Sequence, residues 1–159
     1  MRIRPFEEAD APDLAGLFYE AVHVIARRDY SEAQVRAWAP EPPPAERIFD
    51  WARDGRLLLV AVDSEGAPLA FGDLEADGHI DHLFCHPRAA GTGVTAALYA
   101  GLEAAARAGG VGLLYVEASE PARRFFLRRG FRLVHRRDFD IAGVPIHNYR
   151  MEKRLAPQG

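Results

Sequence analysis

The sequence predicts an α/β (α+β) domain whose mixed, mostly antiparallel central sheet contains one parallel βαβ crossover and is flanked by helices. Three observations carry that expectation. The first third of the chain is helical in pattern, with Leu14, Leu17, Phe18, Ala21, Val22 and Ile25 recurring on one face. Two short glycine-bearing turns, Asp63-Ser64-Glu65-Gly66 and Ala76-Asp77-Gly78, then separate three apolar stretches, as in an antiparallel meander. Finally, an apolar stretch, a two-glycine loop, an unbroken helical run and another apolar stretch follow in order between Ile80 and Glu117, which is a strand–crossover–strand unit. At 159 residues, 48% hydrophobic and 27% charged, the chain suits a single domain over residues 1–159 with a buried core.

Each element has its local reason. Arg2 to Phe6 is a short strand. Asp10 is expected to cap the first helix, with Pro12 in its opening turn. Ser31-Glu32-Ala33-Gln34 has the capping-box spacing and opens a second helix through Trp38. The proline-rich run Pro40-Glu41-Pro42-Pro43-Pro44 can join neither helix nor sheet, so it reads as a stiff connector. Glu46 to Arg53 is a further helical piece. Strands are expected over Leu57–Val62, Leu69–Glu75 and His79–Cys85, a helix over Val94–Arg107, and a strand over Val111–Glu117. Ser119 caps a helix that ends at Gly130. Phe131–Ile141 and Val144–Met151 then form a hairpin around Ala142-Gly143.

Composition excludes several function classes. No apolar run reaches membrane-spanning length, and Met1-Arg2-Ile3-Arg4-Pro5 lacks the features of a signal peptide. Cys85 is the only cysteine, so no internal disulfide can form and a cytoplasmic location is expected. A net charge of −3 argues against nucleic acid as the partner. His79, Asp81, His82 and His86 alternate between the two faces of the expected strand, leaving too few ligands on either face for zinc, so no metal is expected.

The chemistry concentrates around Pro87-Arg88-Ala89-Ala90-Gly91-Thr92-Gly93-Val94-Thr95. The loop leaves a helix N-terminus open, and its free N–H groups form an anion site that glycines let a phosphate approach. This segment resembles motif A of the GNAT superfamily of acetyl-CoA-dependent N-acetyltransferases. Gly91, Gly93 and Val94 match that motif, whereas Ala90 replaces its Gln or Arg and Thr95 its small residue. A second landmark of the family is matched in spacing by Ser119 to Phe131, with Ser119 in place of Asn and Phe126 in place of a Tyr that often serves as general acid. Phe18-Tyr19-Glu20-Ala21-Val22-His23 and Asp29-Tyr30 with Trp38-Ala39-Pro40 are similar to a bacterial subgroup of the same family.

The resemblance implies transfer of an acetyl group from acetyl-CoA to the primary amine of a small molecule or peptide by direct attack in a ternary complex. It places the cofactor on Leu83, Phe84, Cys85, Ala90, Gly91, Thr92, Gly93, Val94, Thr95, Ser119 and Phe126, and the acceptor near His23, Tyr30 and Trp38. Arg123 or Arg124 would lie near the 3′-phosphate. Asp81 stands where some members carry a catalytic Glu and is expected to be the base. Since Phe126 has no proton to give, Tyr149 is the candidate acid. A monomer or homodimer acting without nucleic acid or membrane is expected.

Two other readings share these residues. Gly91-Thr92-Gly93-Val94-Thr95-Ala96 also fits a dinucleotide fingerprint, but several residues separate the strand from Gly91 and the chain has one crossover only. The losses at Ala90 and Phe126 would also suit a non-catalytic acyl-CoA-binding sensor or partner module.

Overall fold

The computed structural model describes residues 1–156. Seven strands and five α-helices alternate in the expected order: β1 (Arg2–Pro5), α1 (Ala11–Glu20), α2 (Glu32–Trp38), α3 (Ala45–Arg53), β2 (Leu57–Val62), β3 (Pro68–Leu74), β4 (Leu83–Cys85), α4 (Val94–Ala108), β5 (Leu113–Ala118), α5 (Glu120–Arg128), β6 (Arg132–Ile141) and β7 (Val144–Arg154). Between α1 and α2 the chain continues helically through a π turn over Ala21–Ile25 and a 3₁₀ turn over Ala26–Arg28.

The strands form two antiparallel sheets, ordered β1-β2-β3-β4 and β5-β7-β6. Alternation along β2 sorts its side chains between two layers. Leu58, Val60 and Val62 pack with Leu14, Leu17 and Ile48 under α1 and α3. Leu59 and Ala61 turn the other way and meet Leu98 of α4. A third cluster joins Leu102 of α4, Leu114 and Val116 of β5, Phe126 of α5 and Met151 of β7. Full burial of each large aliphatic side chain contributes roughly 1.5–3 kcal/mol, so these clusters hold the helices to the sheets.

Two local expectations require correction. Asp10 makes no capping bond to α1. Its buried carboxylate instead accepts both Arg4 guanidinium nitrogens, at 2.8 and 2.9 Å, and the Glu7 N–H. By contrast, Ser31 and Gln34 form the expected reciprocal capping box at 3.1 and 2.8 Å.

The second correction shapes the molecule. Of the strand expected over His79–Cys85, only Leu83–Cys85 is regular. The parallel pairing of the crossover shrinks to one bridge between His79 and Tyr115. The reason is Asp73, fully buried on β3, whose Oδ1 accepts the backbone N–H groups of Asp81 and His82 at 2.9 and 2.8 Å. These two amides are thereby satisfied by a side chain and not by a ladder, so the chain bends there. The bend brings Asp81 and His82 to 3.5 Å from one another, where an extended strand would place them on opposite faces. Beyond the bridge, β4 and β5 diverge and the sheet opens.

The bridge depends on close approach at Gly78. Its φ is +102°, and a Cβ there would stand 2.0 Å from the Leu113 carbonyl oxygen. That backbone pairs directly with β5, because Tyr115 N–H donates to the Gly78 carbonyl at 3.1 Å. Gly78→Ala is expected to destabilise the fold by about 3 kcal/mol, measured as a lower midpoint in urea. Gly110→Ala is also in the left-handed region, at φ +73°, but has open space around it and should cost clearly less.

Candidate active site

Where the two sheets part, the open edge of β4 carries unpaired main-chain groups. Asp73 N–H donates to the His82 carbonyl and His86 N–H to the Leu69 carbonyl, so the even-numbered residues of this stretch face β3. The amides and carbonyls of Leu83 and Cys85 therefore point into the gap.

One cavity, of about 450 Å³, lies on the side of the glycine loop. Gly91, Gly93, Thr95 and Ala96 line it. Gly91 and Gly93 stand at φ +76° and +88°, a conformation costly for other residues, and the space outside each Cα is open. No side chain caps α4 at Gly93. Its first internal bond runs from Ala97 N–H to the Gly93 carbonyl, so the preceding amides of the first turn remain as donors. Arg28, Arg124, Arg128 and Arg129 supply positive charge on the opposite wall. Arg124 is anchored to Asp29 at 2.8 and 3.0 Å, whereas Arg123 lies over the Tyr149 ring. An open helix N-terminus, an extended edge and four guanidinium groups fit a polyphosphate carrying an amide-bearing arm. That is the chemistry of acetyl-CoA.

A second cavity, of about 460 Å³, lies beyond the gap. Phe18, Tyr30, Trp38, Trp51, Phe139 and Ile146 give it an apolar body, and His79, Asp81, His82, Glu117, His147 and Asn148 give it polar groups. The two cavities share Trp38, Leu83, Phe84, Ser119 and Ala122.

Three polar clusters, of which only Asp73 is fully buried, hold this second cavity in shape. In the first, Arg56 Nη1 donates to Asp73 Oδ2 at 2.8 Å and to Asp81 Oδ2 at 2.9 Å, while His82 Nδ1 lies 2.7 Å from Asp73. Burial pushes the Asp73 carboxyl up, but His82 and Arg56 outweigh it and its pKa ends below the ordinary range. In the second, His79 bridges Glu75 at 2.7 Å and Glu117 at 2.5 Å. Burial pulls against its charge, yet the two carboxylates prevail and raise its pKa to about 9. In the third, Glu120 Oε1 accepts from the Tyr149 hydroxyl and from His147 Nε2, each at 2.7 Å. Burial works against the Glu120 charge, but these donors and Arg123 lower its pKa to about 2.

The residues singled out from sequence distribute unevenly over this geometry. Leu83, Phe84, Cys85, Ala90, Gly91, Gly93, Thr95 and Ser119 line the loop-side cavity. Val94 is buried with Ala61, Ala70 and Leu98, and Thr92 turns its hydroxyl to the Ala89 carbonyl. Phe126 is buried against Tyr99, Phe125 and Phe131 and borders the second cavity, while Phe125 borders the first. Burial raises the Cys85 thiol pKa. Tyr30 and Trp38 line the second cavity. His23 borders neither; its Nε2 lies 2.7 Å from the Ala39 carbonyl and its ring packs on Tyr19. Asp81 borders the second cavity, whereas Tyr149 borders neither and gives its proton to the bond with Glu120. Sequence reasoning passed over Asp73, Arg56, Trp51 and Glu120. Asp73 carried a visible signal, as a lone carboxylate within the apolar run Leu69-Ala70-Phe71-Gly72-Asp73-Leu74.

Two cavities that share a wall on a split sheet suit an enzyme that transfers a group between two ligands. Residues 26–153 match the acetyltransferase (GNAT) domain family, and the chain belongs to it. It is 28% identical over 158 residues to the uncharacterized N-acetyltransferase YafP of Escherichia coli K12, covering 99% of this chain and 97% of that one. A GCN5-related N-acetyltransferase structure from Rhodopseudomonas palustris is 34% identical, with a TM-score of 0.83 over 97% of this chain and 95% of that one. The PaiA N-acetyltransferase of Thermoplasma acidophilum, solved with coenzyme A, shares the fold at a TM-score of 0.77 and 18% identity, covering 97% of this chain and 98% of that one. The protein is an N-acetyltransferase with acetyl-CoA as donor, so the dinucleotide and sensor readings fall away. Among the described residues no helix is long and apolar enough to cross a membrane.

Two outcomes are expected. Gly93→Val should raise the dissociation constant for coenzyme A at least tenfold in calorimetry, since Val is strained at φ +88° and its side chain would fill the open space outside the loop. Ala90→Ser should change it little. The His79 pKa is raised on folding, so its stabilisation is complete below the unfolded value near 6.5 and is lost as pH rises through about 9. The melting temperature should accordingly fall across that window, and His79→Gln should flatten this part of the profile.

Proposed function

We propose that the acceptor amine enters the aromatic-walled second cavity and meets the donor at Leu83–Phe84, where the two cavities join. The observation that carries this reading is the shared wall: Trp38, Leu83, Phe84, Ser119 and Ala122 border both spaces. A ligand in either one therefore ends within reach of a ligand in the other, which direct transfer requires.

When bound, acetyl-CoA supplies a thioester carbonyl as the electrophile. The loop amides at Gly91 and Gly93 and the arginines of α5 hold its phosphates, and the free main-chain groups of Leu83 and Cys85 align its arm. An N–H on that edge is placed to stabilise the charge that gathers on the carbonyl oxygen. Tyr30 and Trp38 form one wall of the acceptor site, and the Asp81 and Glu117 carboxylates draw a cationic amine toward it. Tyr30 is fixed as part of the frame: its hydroxyl donates to the His147 carbonyl at 2.9 Å and accepts the Glu120 N–H at 3.0 Å. Its pKa, pushed up to about 12 chiefly by burial, keeps it neutral at physiological pH. Tyr149 stays outside the proton path on this reading, because its hydroxyl is committed to Glu120.

Thiol release from acetyl-CoA, followed across a panel of amines, tests the reading. Release should require an amine and should not occur by way of an acetylated enzyme. Trp38→Ala should weaken both the coenzyme A dissociation constant and the acceptor KM, by roughly tenfold each or about 1.4 kcal/mol, because one side chain serves both cavities. Tyr149→Phe should keep kcat within about threefold of wild type, against a loss of about 10²-fold or more for a true general acid.

A further inference from the structure

We infer that His82, held by Asp73, is the group that takes the proton from the acceptor's ammonium. The inference rests on the acceptor occupying the second cavity.

The arrangement at His82 is that of an oriented base. Its Nδ1 lies 2.7 Å from Asp73 Oδ2, and Asp73 is fully buried. The carboxylate, kept ionised by Arg56 and by the amides of Asp81 and His82, can only accept, so Nδ1 carries the proton. The lone pair of the neutral ring is then on Nε2, which has no hydrogen-bond partner among the described residues. The ring stacks on Trp51 of α3, with centroids 3.9 Å apart and planes at 26°, which fixes its tilt. It borders the acceptor cavity and is joined through the chain to Leu83, where the cavities meet. The charged groups facing it are Asp73 on β3, Asp81 at 3.5 Å, and Arg56, which bonds to both.

His79, Glu117 and Asp81 are committed elsewhere. Both ring nitrogens of His79 lie on carboxylates, and its pKa of about 9 leaves it protonated at neutral pH, without a lone pair. Glu117 is engaged by His79, and the Asp81 carboxylate by Arg56. His147 is anchored in the same way, with Nε2 on Glu120 at 2.7 Å, but it stands on β7 and not beside Leu83, so its variant is the comparison in the test.

The proton balance is simple. One ammonium proton passes to His82 Nε2 and then to solvent. The neutral nitrogen forms the N–C bond as the thioester C–S bond breaks, and the second proton of that nitrogen leaves on the sulfur to give the thiol. Asp73 touches neither substrate and is a positioning residue: it sets the tautomer and stabilises the imidazolium.

The test compares wild type, His82→Gln, His82→Ala, His147→Gln and Asp73→Asn by thiol release over a pH range, on the best alkyl amine of a panel and on an aniline. The coenzyme A dissociation constant of each variant reports whether the fold stands. His82→Gln should bind coenzyme A as wild type does, lose at least about 10²-fold in kcat with the alkyl amine, and lose the ionisation that limits kcat/KM on the acid side. With aniline, already neutral, the loss should shrink to a few-fold. Added imidazole should restore turnover to His82→Ala, a readout independent of whether Asp73→Asn folds. Near-wild-type turnover in His82→Gln, an equal loss with both amines, or removal of the acid-side ionisation by His147→Gln in its place would overturn the assignment while leaving acetyl transfer standing. Wild type that turns over no amine would overturn both.

Discussion

The Asp73 carboxylate is the constraint on which the rest of this molecule depends. A charge on a central strand with no solvent exposure must be matched by donors, and Asp73 has four: the amides of Asp81 and His82, the His82 ring and the Arg56 guanidinium. Removing one partner of such a buried set typically costs roughly 3–5 kcal/mol, which locks the bend before β4. That bend ends the regular pairing with β5 after the His79–Tyr115 bridge. One interaction thus opens the sheet, presents the free edge of Leu83 and Cys85, and fixes an imidazole at the mouth of the gap.

The two cavities divide their physics accordingly. On the loop side, recognition is by backbone and fixed charge. Left-handed glycines, an uncapped helix start and arginines suit a ligand whose recognition is dominated by phosphate. The far side is walled by aromatic rings with a polar rim, which suits an amine with an apolar body. Even so, the part-buried polar clusters there make its floor stiff. His79 ties the end of β3 to β5 through Glu75 and Glu117, and Glu120 ties α5 to β7 through His147 and Tyr149. Each cluster spans segments that the open sheet would otherwise leave apart.

Substitution at two family positions finds a local explanation in this frame. Phe126, in place of the common Tyr, completes an aromatic cluster with Tyr99, Phe125 and Phe131 and has no polar duty. Ala90 presents no polar side chain to the loop-side cavity, and the open amides there belong to the main chain. Tyr149, the residue on β7 that sequence position suggested as a stand-in acid, donates its hydroxyl to Glu120 at 2.7 Å.

The sequence by itself determined the order of elements, the capping box at Ser31, the hairpins, the crossover and the two-glycine loop before α4. All of these are set by neighbours within a few residues, through helical and strand periodicity and the conformations open to glycine and proline. It did not determine where the expected strand over His79–Cys85 would break, which carboxylate His82 would meet, or that Asp10 would bind Arg4 in place of capping a helix. Those outcomes depend on pairs such as Arg56 with Asp81 and His79 with Glu117, 25 and 38 residues apart. Only the packed fold brings such groups together and removes the water that would otherwise satisfy each one separately. For that reason the glycine loop was legible as a motif, while the polar clusters around the second cavity were decided by the tertiary structure.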